Sequence, residues 1–287
     1  MIVTVIYAIL ALSVIGAVSA LILYFVAQKF KVYEDPRIDI VADKLPGANC
    51  GGCGFAGCRA LAESIVKSES MEGKFCPVGG ASTMADIAQV MGLEAVASDP
   101  MIAVVRCNGG KCNTAKKVNY QGADDCLYAH MTFVSEGGCA NGCLGLGSCV
   151  KACKFDALKI NEDTGLPEVD KDKCVACGAC VKACPRNVIE LRKKGKNDRR
   201  VFVCCINQDK GAVAKSNCKA ACIGCGKCAK VCPFEAIVVQ NNLAYIDFTK
   251  CKSCGKCVAE CPTGAIHAVN FPKKKIVEEE KTPEITI

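Results

Sequence analysis

Residues 222–262 read CIGCGKCAKVCPFEAIVVQNNLAYIDFTKCKSCGKCVAECP. Two runs of one spacing lie inside this stretch, Cys222-x2-Cys225-x2-Cys228-x3-Cys232-Pro233 and Cys251-x2-Cys254-x2-Cys257-x3-Cys261-Pro262. Three thiolates two residues apart turn toward one point in a tight loop and wrap one iron–sulfur cube. The fourth, followed by proline, points away and ligates the neighbouring cube. The two runs are therefore expected to exchange their fourth ligands. Cys222, Cys225, Cys228 and Cys261 are expected on one [4Fe–4S] cluster, and Cys251, Cys254, Cys257 and Cys232 on the other.

This tandem resembles the bacterial two-cluster ferredoxin. An altered copy precedes it. Cys174-x2-Cys177-x2-Cys180-x3-Cys184-Pro185 is regular, but its partner run is Cys139-x3-Cys143-x5-Cys149-x3-Cys153. Register with the other runs puts the middle ligand at Leu146, which cannot bind iron, and Cys139 is the nearest replacement. The expected sets are Cys139, Cys143, Cys149 and Cys184, and Cys174, Cys177, Cys180 and Cys153. The segments CVKACKFDALKI, CVKACPRNVIEL, CAKVCPFEAIVV and CVAECPTGAIHAV are four copies of one unit, each a turn of helix followed by a short apolar strand. Gly165-Leu166-Pro167 and Asn241-Asn242 fall between copies as turn chemistry.

Cysteine dominates the composition, with 26 of 287 residues. Disulfide scaffolds are usually short, and their cysteines do not repeat in this way. Zinc also takes C-x2-C pairs, but a third cysteine two residues on and a Cys-Pro fit it poorly. The formal charge is +7 with thiols counted neutral. Each cube with its four thiolates adds about −2, so five would bring the loaded protein to about −3. The basic balance is thus partly compensation for buried anionic clusters. With no Trp and only six Tyr, no stacking platform for nucleic acid is expected.

Residues Ile2 to Ala27 form an apolar, charge-free run, long enough for a helix to cross a bilayer. Tyr7 and Tyr24–Phe25 sit near its ends, as interfacial aromatics do. A cleavable signal would need a basic leading segment and a shorter apolar core. Lys29, Lys31 and Arg37 follow the run, so the rest of the chain is expected on the cytoplasmic side. Ser13 and Ala17, and Gly16 and Ala20, give a smooth stripe suited either to a partner helix or to a lone anchor.

After a polar stretch read as a linker comes PGANCGGCGFAGC, with Cys50-x2-Cys53-x4-Cys58, and then Cys76-Pro77 beyond a helical segment. Its glycines let the backbone close around a further [4Fe–4S] cluster and offer N–H groups to the sulfurs. Ala60–Ser68 and Met84–Met91 are expected to be short helices beneath it. Met101–Cys107 reads as a strand. Cys107, Cys112 and Cys126 match no ferredoxin spacing. Either they ligate a sixth cluster with one of Cys204, Cys205 or Cys218, or they are free buried thiols. Residues 191–201, LRKKGKNDRRV, read either as a solvated loop or as a docking patch for an acidic electron carrier. The tail from Lys273 is charged and expected to be disordered. No G-x-G-x-x-G follows a strand, since Gly145-Leu146-Gly147 is too short a match, and there is no phosphate loop. The only histidines are His130 and His267, so a His-ligated haem is not expected.

The expected fold is α+β. It comprises a transmembrane helix (1–28), a linker (29–45), a small helical Fe–S domain (46–97), a cysteine-containing insertion (98–134), a ferredoxin-like module (135–192), a basic connector (193–217), a second module (218–270) and a charged tail (271–287). A membrane helix, then C-x2-C-x4-C…C, then ferredoxin modules is similar to the B subunit of the Rnf complex, the ion-translocating ferredoxin:NAD⁺ oxidoreductase of bacterial membranes. Two modules and the insertion go beyond that family's minimal form. The resemblance implies an electron-transfer subunit on the cytoplasmic face of the bacterial inner membrane. It implies reduced ferredoxin as donor, with other membrane and peripheral subunits holding the NAD, flavin and ion-coupling chemistry. Two other readings are a polyferredoxin relay of another membrane enzyme, such as a hydrogenase or formate dehydrogenase, and a zinc-stabilised adaptor.

Overall fold

A computed structural model describes residues 2–29, 34–94 and 99–271. Helix α1 (Ile2–Lys29) is apolar on all sides, and from Val5 to Lys29 it is long and apolar enough to cross a bilayer. A helix without a polar face that buries nothing in its own chain is suited to lipid.

The next unit is helical, with α2 (Arg37–Lys44), α3 (Cys58–Ser68) and α4 (Gly80–Met91). The sequence reading gives residues 37–44 to a linker. The structure makes them a helix because Ile38 and Val41, with Leu45 beyond, form one apolar stripe that is buried against the other two helices. Leu61, Ile65, Met84 and Ile87 complete that core, each at most 1% exposed.

Two ferredoxin-like modules follow, built from four small antiparallel ladders. Strand β1 (Met101–Val105) is followed by α5 (Cys126–Thr132), α6 (Ser148–Lys151), β2 (Leu158–Ile160), β3 (Pro167–Val169), α7 (Ala179–Lys182) and β4 (Ile189–Lys193). The second module has β5 (Arg200–Val203), α8 (Gly211–Asn217), α9 (Lys227–Lys230), β6 (Ile237–Gln240), β7 (Leu243–Ile246), α10 (Lys256–Ala259) and β8 (Ile266–Val269). β2 pairs with β3, and β6 with β7 across Asn241 and Asn242, both at positive φ as a tight hairpin turn requires.

The outer ladders cross the boundaries drawn from sequence. β1, inside the expected insertion, pairs with β4 from Met101↔Lys193 to Val105↔Ile189. β5, inside the expected connector, pairs with β8 from Arg200↔Val269 to Val203↔Ile266. Each module thus closes with a strand from the segment before it. Residues 191–201 are correspondingly not one free basic loop: their ends lie in β4 and β5, with exposed Lys196 in the turn between. Arg192 is 1% exposed and Arg200 8%, Lys193 pairs with Asp99 at 2.5 Å, and Arg199 lies over the Phe271 ring.

The four-copy unit is visible in the backbone. Gly147, Gly178, Gly226 and Gly255 stand before α6, α7, α9 and α10 with φ of 77°, 76°, 74° and 78°. Only glycine takes that turn without strain. It reverses the cysteine loop into a four-residue helix whose second residue is Cys149, Cys180, Cys228 or Cys257, each 7% exposed. The tail from residue 272 lies outside the described residues.

Candidate iron–sulfur centres

In the helical domain, Cys50, Cys53, Cys58 and Cys76 line one small cavity, closed by Gly51, Gly57 and Leu61. The Asn49 side chain fixes the loop by accepting the Cys58 N–H at 2.8 Å. The Gly79 N–H donates to Cys76 Sγ at 3.3 Å. Burial raises the Cys76 thiol, and Cys53 and Cys58 push the same way.

In the second module, Cys222, Cys225, Cys228 and Cys261 line one cavity, and Cys232, Cys251, Cys254 and Cys257 another. These are the two exchanged sets expected from spacing. Backbone N–H groups aim at the sulfurs, Ala244 to Cys222 and Ser253 to Cys251, both at 3.4 Å. Burial pushes Cys228 up to about 11 and Cys257 up to about 12. Cys225 and Cys254 are exposed.

The first module holds its regular set together. Cys174, Cys177 and Cys153 all lie near Cys180, as does Cys149 of the neighbouring set, and burial pushes the Cys180 thiol up to about 12. The Ala157 N–H donates to Cys153 Sγ at 3.4 Å. The altered set differs from expectation. The cavity is lined by Cys126, Cys143, Cys149 and Cys184, and Cys139 is not among them. The reason is α5. Asp125 caps it through the Leu127 and Tyr128 N–H groups, and the Cys126 N–H donates to Ser148 Oγ at 2.7 Å. That contact seats Cys126 beside Cys149, in the position Leu146 cannot fill. Cys139 turns instead toward Cys107. No local spacing signals this exchange.

Of the remaining cysteines, Cys112 is exposed, with its thiol toward the Asp163 carbonyl. Cys204 is buried among Ile102, Val104 and Phe202. Cys107, Cys139, Cys205 and Cys218, with Cys204 beside them, share the wall of a cleft of about 1160 Å³ between the modules. His130 is exposed at the end of α5, and His267 is half-buried on β8, where burial lowers its pKa.

The donor sets fit [4Fe–4S] groups. Four of the sets place four thiols around a cavity lined with apolar side chains, and backbone N–H groups are directed at sulfur, as anionic cubes require. Among the described residues no three His, Cys, Asp or Glu side chains gather as tightly as a single ion needs. Arg186, 8% exposed, adds a positive charge among Cys126, Cys139 and Cys143, donating to Gly142 O at 2.8 Å.

Two family models match the chain. One described as "Putative Fe-S cluster" covers residues 45–78, and "4Fe-4S dicluster domain" covers 138–188, 173–236 and 221–265. Among curated relatives, the B subunit of the Na⁺-translocating ferredoxin:NAD⁺ oxidoreductase complex of Acetobacterium woodii is 45% identical, over 84% of this chain and 71% of that one. Its proton-translocating counterpart in Clostridium ljungdahlii is 42% identical over 86% of both. The B subunit of the ion-translocating oxidoreductase complex of Methanosarcina acetivorans is 44% identical, over 84% and 89%. With its apolar first helix and its cysteine sets, the chain belongs to the B subunits of ion-translocating ferredoxin:NAD⁺ oxidoreductase (Rnf) complexes, iron–sulfur proteins that transfer electrons.

Proposed function

We propose that this protein accepts electrons from reduced ferredoxin at its C-terminal module and delivers them beside the membrane, for use by partner subunits. When bound, each [4Fe–4S] cluster takes up and releases one electron at a time. Five ligand sets serve it: Cys50, Cys53, Cys58 and Cys76; Cys126, Cys143, Cys149 and Cys184; Cys153, Cys174, Cys177 and Cys180; Cys222, Cys225, Cys228 and Cys261; and Cys232, Cys251, Cys254 and Cys257. The protein's work is to hold these sets at fixed separations and to shield them, with Cys225 and Cys254 left exposed at the second module.

The observation that carries the direction is where the chain leaves sulfur accessible. Cys254 is exposed between exposed Lys250, Lys252 and Lys256. At the other end, the Cys50–Cys76 domain stands next in sequence to α1 and packs on the first module. The lysine rim suits an acidic carrier such as ferredoxin. It takes over the docking role that the buried arginines of 191–201 cannot fill. Lys29 and its basic followers support a cytoplasmic side for the cluster domains. Helix α1 carries no charge before Lys29 and so offers an ion no polar route. Ion coupling, and the NAD⁺ and flavin chemistry, belong to the partners.

The test is Lys252→Glu/Lys256→Glu in the anaerobically purified complex, with ferredoxin-driven cluster reduction followed by absorbance against salt. A fall of about tenfold in rate at low salt, with dithionite reduction unchanged, is expected. An unchanged rate and salt dependence would overturn this entry point.

A further inference from the structure

Five thiols outside the five sets line the cleft between the modules, Cys107, Cys139, Cys204, Cys205 and Cys218, and four of them converge. A Cβ placed on Gly109 would lie 3.4 Å from Cys107 Sγ and 3.7 Å from Cys218 Sγ, so both sulfurs border one point. One on Gly142 would lie 3.3 Å from Cys139 Sγ and 3.8 Å from Cys107 Sγ. Cys205 alternates with Cys204 at the end of β5. Cys204 enters the apolar layer with Phe202, while Cys205 packs with Cys218 on the opposite side. The four sulfurs come from four separate segments and converge through tertiary structure alone.

Their surroundings repeat those of the other sets. Cys107 Sγ receives the Gly109 and Cys143 N–H groups, both at 3.4 Å. Arg186, donating to the carbonyls of Cys139 and Gly142, places a buried guanidinium alongside. Four buried or half-buried thiols with no disulfide, sulfur-directed N–H groups and a compensating cation form a built site for a cubic cluster anion. We infer that Cys107, Cys139, Cys205 and Cys218 hold a sixth [4Fe–4S] cluster, bridging the two ferredoxin modules.

The bridging place follows from backbone contacts. The Cys143 N–H that meets Cys107 belongs to a ligand of the first module. The Cys205 sulfur faces the backbone N–H of Cys222, a ligand of the second. The site therefore touches one ligand loop on each side, and no other thiol set of the described residues spans that gap. Its role as a stepping point rests on the relay reading above, whereas its existence does not. Cys112 and Cys204, both open alternatives from the sequence, take no part.

The experiment uses the full chain purified without air. Iron, sulfide and zinc are counted, and low-temperature paramagnetic resonance is recorded after dithionite, which needs no ferredoxin. Wild type is expected to hold about 24 iron and 24 sulfide per chain, and Cys218→Ala or Cys139→Ala about 20 of each. The variants should lose about one sixth of the integrated reducible spin. Cys112→Ala and Cys204→Ala should lose none. Wild type at about 20 iron, or one zinc per chain in the site, would overturn the inference. So would a Cys112→Ala loss equal to that of Cys218→Ala. If an alanine variant fails to fold, the wild-type counts decide alone. Failure of the lysine-rim variants to slow ferredoxin would leave these counts untouched, so the two readings fall separately.

Discussion

A methyl group at position 52 would meet backbone. A Cβ there would lie 2.7 Å from the Cys177 carbonyl oxygen and 2.8 Å from its Cα. Cys177 cannot retreat, because it belongs to the ring around Cys180. Glycine at 52 therefore allows the Cys50 loop to lie directly on the Cys177 loop, and Lys182 Nζ adds a contact to Gly51 O at 3.5 Å. Gly52→Ala is expected to push the two loops apart while both thiol sets stay complete. Iron content should be unchanged, and rapid-freeze paramagnetic resonance should show the Cys50–Cys76 signal appearing more slowly after dithionite reduction. An unaltered rate would mean that this seam is not on the electron path.

At the scale of elements, two arginines join the modules. Arg192 on β4 is buried under the rings of Phe202, Tyr245 and Phe248, at 5.8, 5.2 and 5.7 Å from guanidinium to centroid. It ion-pairs with Glu190 and reaches the Val201 carbonyl at 3.4 Å. Arg106 shares Glu190 at 3.2 Å and reaches the carbonyls of Val203 and Cys205, both at 3.4 Å. Removing one partner of a buried charged pair costs about 3–5 kcal/mol, while an apolar side chain of similar volume costs less. Arg192→Ala should therefore bleach fastest when heated under argon, Arg192→Met should be intermediate, and wild type slowest. Equal bleaching of Ala and wild type would remove the clamp. These arginines also show where sequence reading stops. The four-copy unit, its hairpins and the three thiol sets of the second module and helical domain follow from local spacing, because each loop carries three of the four sulfurs it wraps. The pairing of β1 with β4 and of β5 with β8, the seating of Cys126 for Leu146, and the burial of Arg192 all depend on partners far along the chain. A basic run looks the same in sequence whether it meets water or three aromatic rings.

At the scale of the whole molecule, the units differ in what holds them together. The α2–α4 domain has an apolar core of Val41, Leu61, Ile65, Met84 and Ile87, none of them a cluster ligand. The buried residues of the second module include Cys205, Cys218, Cys222, Cys228 and Cys257, with alanines and a few branched side chains between very short strands. Burial raises the thiols of Cys205, Cys218, Cys228 and Cys257, so a module stripped of iron keeps them protonated and gains no charge pairing in its place. Ligand bonds supply the cohesion that so small an apolar core lacks. Chelating the iron under reducing conditions should therefore act unevenly. Hydrogen exchange is expected to show lost amide protection in the β2–β3 and β6–β7 hairpins, with α3 and α4 still protected. Uniform loss would mean that the helical domain also folds only around its cluster. Retained protection in the hairpins would mean that their apolar contacts suffice, and the cysteine rings would then tune electron transfer without holding the modules together.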